Sequence, residues 1–439
     1  MSSRLFIYIF KRPSAENETG CRMFIYVVKL GDSLFSIAAK YRISMDSLRI
    51  TNGLRTDRLV PGQDLLVPSN IYIVQPGDSL FSIAQMTFIP AETIRLYNGL
   101  QSDELTVGME LYLPPREKYT EEGLSYLTPA TPAQNRINVQ TFAPIITNFG
   151  VFEYHVLEDG SLSALDDRQL ISLIRENGSN PIAVITNLTE TGFSPQLTKR
   201  ILNNPTLRQR VINNIYNLVK SKNYAGVNVD FEQVLESERD LYSGFLAALR
   251  DRLKPEGFSI SAAVPAKTSD NIPWLRGFDY GGIAAAVDFV FIMAYDWHEA
   301  GSDPGPVAPI TEVRKTLDYA LTKMGRNKIV LGVPRYGYNW TMSNGTVASA
   351  SAFSVSNAYA TAMRYQVPIQ YSTEYQQPHY TYWDENGRRH VVWFEDVRAR
   401  ATKFQLAVDY KIRGMGAWQL GLHFPQSAFL VREFFRKKR

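Results

Sequence analysis

The spacing of hydrophobic positions changes twice along this chain, and the changes divide it. Near the front, short apolar runs at 24–28 and 71–74 read as strands. Leu34, Ile37 and Ala38 come next at helical spacing, as do Leu80, Ile83 and Ala84. From about residue 123 the pattern becomes a long alternation. Apolar runs at 124–128, 145–154, 182–185, 226–231, 259–264, 289–295, 329–333 and 414–420 read as strands. Between them, 168–176, 206–220, 238–253, 313–324 and 398–410 carry helical periodicity. Strand alternating with helix implies a parallel sheet. Eight such strands over this length suit a closed (β/α)8 barrel of the TIM type, an α/β fold.

Residues 337–395 depart from that rhythm. The stretch is β-rich and aromatic, with Tyr371, Tyr375, Tyr380, Tyr382, Trp383 and Trp393, and Asp384-Glu385-Asn386-Gly387 is a hairpin-turn signal. It reads as a small α+β insertion after barrel strand seven. Loops that follow barrel strands build the active-site face, so the insertion is expected to wall the cleft. About half its aromatics are expected to form its own core.

The front of the chain is a repeat. Residues 24–68 match 71–114 at a constant offset of 46, from Gly31 to Gly77 and from Asn52 to Asn98. Each unit reads strand–helix–helix–strand. Asp32 or Ser33, and Asp78 or Ser79, are placed to cap the first helix. Asn52-Gly53 and Asn98-Gly99 are placed to end the second. Residues 115–122 are proline-led and charged and read as a short stiff linker to a domain spanning 123–439. Residues 1–22 share no pattern with the repeats. Met23 stands directly before a strand and offers an alternative start, which would leave 1–22 as an extension outside the native chain. The apolar run at 5–10 is too short for a secretory signal.

Composition narrows the function. At 439 residues, 45% of them hydrophobic, the chain can bury a large core. A net charge of +4 without a long basic run does not call for nucleic acid, and Arg436-Lys437-Lys438-Arg439 reads as a frayed, solvated end. One cysteine and five scattered histidines give no metal-ligand spacing, so no metal or cofactor is expected. No apolar stretch reaches the length of a membrane span. A monomer is expected.

Chemistry concentrates at 225–232. Residues two apart on a strand share a face, so Asn228, Asp230 and Glu232 line up, with Gly226 at the start of the row. Val227, Val229 and Phe231 face the other way. Carboxylates on a strand in a core are costly unless used or paired. On the stretch alone, structural salt bridges are the other reading. Barrel topology brings further groups to the same mouth: Met293, Tyr295 and Asp296 after strand six, Tyr336 after strand seven, and Trp418 near the end of strand eight. Carboxylates, tyrosines and a tryptophan together suit a sugar.

The repeats resemble LysM domains. The resemblance implies a βααβ fold that binds N-acetylglucosamine-containing glycan in a groove lined by Gly31, Asp32, Ser33, Asn52, Gly53 and Leu54, and by Gly77, Asp78, Ser79, Asn98, Gly99 and Leu100. Cap or turn chemistry is the other reading of those side chains. Residues 123–430 resemble the family 18 glycoside hydrolases, the chitinase-like barrels. The family's Asp-Gly-x-Asp-x-Asp-x-Glu aligns with Ala225–Glu232, and its Met-x-Tyr-Asp with Met293–Asp296. Together the two parts look like the spore cortex-lytic N-acetylglucosaminidases of the YaaH/SleL type, which implies a spore-associated enzyme acting on peptidoglycan during germination.

That resemblance implies substrate-assisted retention. Glu232 would carry the proton, Asp230 would steady the substrate's acetamido group, and Tyr295 would hold it from the other side. Trp418 would floor the −1 subsite, with Asp296 and Tyr336 as further contacts. Ala225 and Asn228 replace two aspartates of the pattern. Asn228 cannot carry charge, so Asp230 is expected to stay ionised more readily. A chitinase-like lectin and a structural spore-layer protein held by its LysM repeats are the competing readings.

Overall fold

In the computed structural model, residues 22–438 are described, so the expectation for 1–22 lies almost wholly outside them. Eight parallel strands form the large domain: β1 (Leu124–Leu127), β2 (Asn148–His155), β3 (Asn180–Thr186), β4 (Gly226–Asp230), β5 (Ser259–Pro265), β6 (Phe289–Met293), β7 (Ile329–Pro334) and β8 (Gly414–Trp418). They pair in sequential order. β8 returns against β1, where a Cβ on Gly416 would lie 1.9 Å from the carbonyl oxygen of Leu124. Only a residue without a side chain allows that approach, which brings the two edge strands of the sheet together and nearly closes the barrel.

Alternation along the strands makes two cores. Val227, Val229 and Phe231 of the β4 segment face the helical ring. Phe231 stacks on Tyr242 and Phe245 of the helix Arg239–Leu253, with ring centroids 6.1 and 5.8 Å away. Inside the barrel, Leu124, Tyr126, Ile182, Val184, Ala263, Phe289, Phe291 and Val330 fill the interior. Gly226 begins the inward row. A Cβ there would collide with Ser259.

The insertion begins at Tyr336, directly after β7. Its five antiparallel strands carry the helix Val355–Tyr365. Tyr380, Tyr382 and Phe394 are buried within it. Tyr338 and Trp340 instead pack toward the barrel mouth, and the Trp340 indole donates to the carbonyls of Glu299 and Ser302. This pins the loop after β6.

Both front modules are βααβ units: Met23–Val27, Leu34–Lys40, Met45–Asn52 and Asp64–Pro68, then Ile71–Ile73, Leu80–Thr87, Ala91–Tyr97 and Glu110–Tyr112. They share one core, in which Phe24 meets Tyr41 and Tyr72 edge-on. The first module is fastened to the barrel domain. Its fully buried Asp64 accepts from Tyr359 Oη and, at 3.0 Å, from the Val397 N–H.

The segment read as a linker and the tail read as a solvated end are structured together. Tyr119–Glu121 pairs in parallel with Phe435–Lys437. Glu121 is buried and accepts from the Met415 N–H at 2.7 Å, and Arg116 stacks on Phe434 at 3.6 Å. The C-terminal lysines are anchored too: Lys437 Nζ donates to Ala143 O, Gly178 O and Ser179 Oγ, and Lys438 pairs with Glu122. Charge alone did not distinguish a free tail from one capping the bottom of the barrel.

Candidate active site

The β4 row ends at the mouth of the barrel. Asn228 is fully buried: it accepts from Tyr126 Oη at 2.9 Å and donates to Ser261 Oγ at 2.9 Å. Asp230 is also buried, and its Oδ1 has no hydrogen-bond partner among the described residues. Such an orphan at the end of a barrel strand is a ready acceptor for a ligand N–H. Glu232 lies beyond the strand, partly open. Asn187 holds its backbone at both ends, accepting from the Glu232 N–H at 2.9 Å and donating to its carbonyl at 2.8 Å.

Across the mouth, Met293, Tyr295 and Trp418 sit with Phe152 on top of the inner core. Trp418 meets Phe152 and Tyr126 edge-on, with centroids 4.6 and 5.4 Å apart. Tyr295 lies edge-on to Tyr336 at 6.4 Å. Asp296 adopts φ +62° in the loop after β6. Its Oδ1 accepts from Tyr336 Oη at 2.6 Å and from Tyr338 Oη at 3.2 Å. The fold therefore brings every barrel residue named from the sequence to one mouth. It adds Tyr126, Glu153 and Asn187, which no motif had marked, and it brings Tyr338, two residues after Tyr336, onto Asp296.

Electrostatics follow from this crowding of carboxyls. Burial, then Asp296 and Glu153, raise the Glu232 carboxyl from 4.5 to about 7. Crowding by protein likewise raises Asp296 to about 6, although its side chain opens onto the cleft. Asp230 is pushed well above the ordinary carboxylate range by burial, then by Glu232 and Glu153. Asn228 adds no charge of its own, so what holds the proton on Asp230 is its burial together with the two glutamates. Such a pair releases its protons in steps that belong to the pair rather than to either residue.

In the front modules, the side chains named as glycan contacts are largely engaged in the fold. Ser33 and Ser79 cap their helices in capping boxes. Asp32 and Asp78 accept from Tyr26 and Tyr72 hydroxyls at 2.7 Å, and from the N–H groups of Lys29 and Gln75. Asn52 ties its helix to Leu66 through both backbone groups, and Asn98 does the same with Tyr112. Gly53 and Gly99 take left-handed backbone, with φ of +60° and +67°. Gly31 and Gly77 have open space around them. Leu54 and Leu100 pack against the shared core, whereas Phe35 and Ile50 are 69% exposed, and their equivalents Phe81 and Leu96 are 68% and 62% exposed.

A nearly closed parallel barrel carrying an acid pair at the end of its fourth strand and a Tyr-Asp pair after its sixth defines a class of sugar-cleaving barrels. Residues 126–422 match the Glycosyl hydrolases family 18, and the chain belongs to that family and is a glycosidase. Residues 26–68 and 72–114 are LysM domains. The chain is 48% identical to the sporulation-specific glycosylase YdhD of Bacillus subtilis, over 94% of this chain and 99% of that one. It is 42% identical to the cortical fragment-lytic enzyme of the same organism, over 94% and 98%. The crystal structure of the Bacillus cereus spore cortex-lytic enzyme SleL superposes with a TM-score of 0.87 at 35% identity, covering 95% of this chain and 99% of that one.

Proposed function

We propose that the chain is a retaining β-N-acetylglucosaminidase that opens N-acetylglucosamine linkages of spore cortex peptidoglycan during germination, with its LysM modules holding the glycan. The observation that carries the reading is Glu232: a partly open carboxyl at the barrel mouth, raised to about 7 and thus still about half protonated at neutral pH, beside a buried acceptor, Asp230 Oδ1. The cortex assignment is supported by the cortex-lytic relatives, which match almost end to end.

Glu232 gives its proton to the glycosidic oxygen as the C1–O bond breaks. The substrate's own acetamido oxygen closes on C1, forming an oxazolinium ion, so the protein supplies no nucleophile. Asp230 Oδ1 receives the acetamido N–H and draws off its developing charge. Tyr295 holds the group from the opposite side, and the Trp418 face carries the pyranose. Water then attacks C1 and returns a proton to Glu232, which leaves the anomeric configuration retained.

Digesting defined muropeptides and weighing the products tests this. Wild type is expected to release reducing N-acetylglucosamine ends, Glu232→Gln to release none, and glycans lacking the acetamido group to remain intact. Tight glycan binding without turnover by wild type would replace the reading with that of a lectin.

A further inference from the structure

Glu153 lies outside every motif and belongs to β2, two strands away from β4. The register of β2 on β3 breaks between Val151, which pairs with Ala183, and Tyr154, which pairs with Ile185. Phe152 and Glu153 thus stand opposite one residue, Val184: this is a β-bulge. Val151 and Tyr154 both face the helical ring, while Phe152 faces the barrel interior. In a regular strand Glu153 would share the outward face with Val151. The extra residue re-aims it toward the mouth. There its Oε1 lies 3.3 Å from His155 Nε2, and its Oε2 is buried with no hydrogen-bond partner among the described residues.

Its neighbour across the sheet is the acid pair. His155 pairs with Thr186 of β3, and Thr186 pairs with Asp230 of β4. Burial raises the Glu153 carboxyl, and His155 first, then Thr186, act against that rise and favour its charged form. A half-buried carboxyl, Glu153, and a buried one, Asp230, each with one orphaned oxygen, therefore flank one threonine. On the β4 row itself Asn228 brings no charge, and both ends of its amide are taken by Tyr126 and Ser261.

We propose that Glu153 is a positioning residue of this site, supplying from the bulge of β2 the negative charge that Asn228 cannot supply, so that Glu232 keeps its proton until the sugar arrives. The inference rests on the reading of Glu232 as the proton carrier. The ionisable groups facing the two glutamates are His155 on β2, Tyr126 on β1, Asp230 on β4, and Tyr295 and Asp296 after β6. Glu153 acts on both members of the acid pair.

The test is Glu153→Gln, nearly the same shape without the charge, beside Glu153→Asp, which restores it. The carboxyl midpoint of Glu232 is read by 13C NMR on glutamate-labelled full chain, and the basic limb of kcat/KM on a defined N-acetylglucosamine oligosaccharide. Both are expected to move to lower pH in Glu153→Gln, by about half a unit to one unit, and to return in Glu153→Asp. Should Glu153→Gln fail to fold, Glu153→Ala gives the same readout. A midpoint and limb that stay in place, even with activity uniformly lower, would overturn the proposal and leave Glu153 a structural residue. The NMR midpoint speaks for Glu153 whether or not Glu232→Gln proves inactive, so failure here is separable from failure of the proposed mechanism.

Discussion

Asn187 holds Glu232 by its main chain. Its Oδ1 accepts from the Glu232 N–H and its Nδ2 donates to the Glu232 carbonyl, at 2.9 and 2.8 Å. The same Nδ2 also reaches Thr198 Oγ1 and Ser194 O, so the amide is fixed by the loop and helix after β3. Glu232 lies beyond the last residue of β4, where the sheet no longer sets its direction. Asn187→Ala therefore loosens the acid without touching the sugar floor. A misplacement of the reacting group by about 1 Å costs on the order of 100-fold in rate. We expect kcat to fall by about that much with KM little changed. Steady-state kinetics decide it, with circular dichroism confirming the fold. A rise in KM at constant kcat would show that Asn187 serves binding instead.

The raised carboxyl of Glu232 has a stability consequence of definite sign. The folded chain holds this proton up to about pH 7, whereas the unfolded chain releases it near 4.5. Protonation thus favours the fold. The contribution is complete below about 4.5 and is lost as pH rises through about 7. Glu232→Gln has no such proton to lose. It is expected to match wild type in thermal stability near pH 4.5 and to exceed it at pH 8, by on the order of 2 kcal/mol. Activity should fall over the same window, as the acid loses its proton. Equal melting curves at pH 8 would show that the carboxyl is solvated and close to its ordinary value.

Much of this site was legible because β4 announces itself. Val227, Val229 and Phe231 alternate with Gly226, Asn228 and Asp230, and a strict period of two fixes both faces. The LysM repeat was legible for a related reason: a shared offset marks equivalent positions whatever their role. Glu153 was hidden because the bulge at Phe152-Glu153 leaves no trace in the residue types. Alternation alone sends that carboxyl to the wrong face. Asn187 was hidden because it works through backbone groups of a residue 45 positions away. The segment 115–122 reads as a stiff linker because nothing local shows that Tyr119–Glu121 pairs with Phe435–Lys437 or that Glu121 accepts from the Met415 N–H.

Restoring a carboxyl at 228 should act on pH dependence before binding. The pocket around Asn228 is fully buried, with the Tyr126 hydroxyl donating into it and the Ser261 hydroxyl, which donates to the Val227 carbonyl at 3.3 Å, able to give up that long bond and donate to an anion instead. Two donors support an anion there. In Asn228→Asp that anion would raise the neighbouring acids further, and the basic limb of kcat/KM is expected to move to higher pH while KM changes little. This is the opposite direction to Glu153→Gln, since one variant adds a charge to the acid pair and the other removes one. Superimposable profiles for Asn228→Asp and wild type would refute it.

In the LysM modules the exposed apolar pairs, rather than the acidic loop side chains, are expected to decide glycan retention. Asp32 and Asp78 are each occupied by a tyrosine hydroxyl and a backbone N–H, so removing them strips internal bonds. Phe35 and Phe81 occupy equivalent positions in the first turn after each cap and stand about two-thirds exposed, four residues along the chain from the open glycines Gly31 and Gly77. An aromatic face held out beside a loop of free backbone groups suits a pyranose, which is apolar on its faces and polar at its rim. The double variant Phe35→Ala and Phe81→Ala should keep its melting temperature, because neither ring is in the shared core. It should cleave short soluble oligosaccharides at the wild-type rate, since the barrel mouth is untouched. Its retention on insoluble peptidoglycan in a pull-down should drop about tenfold, as expected if the rings contribute on the order of 1 kcal/mol together. Asp32→Ala and Asp78→Ala should show the reverse, a lower melting temperature that precedes any loss of retention. If the aspartate variants lost retention at unchanged stability while the phenylalanine variant bound normally, the acidic loops would be the glycan contacts after all.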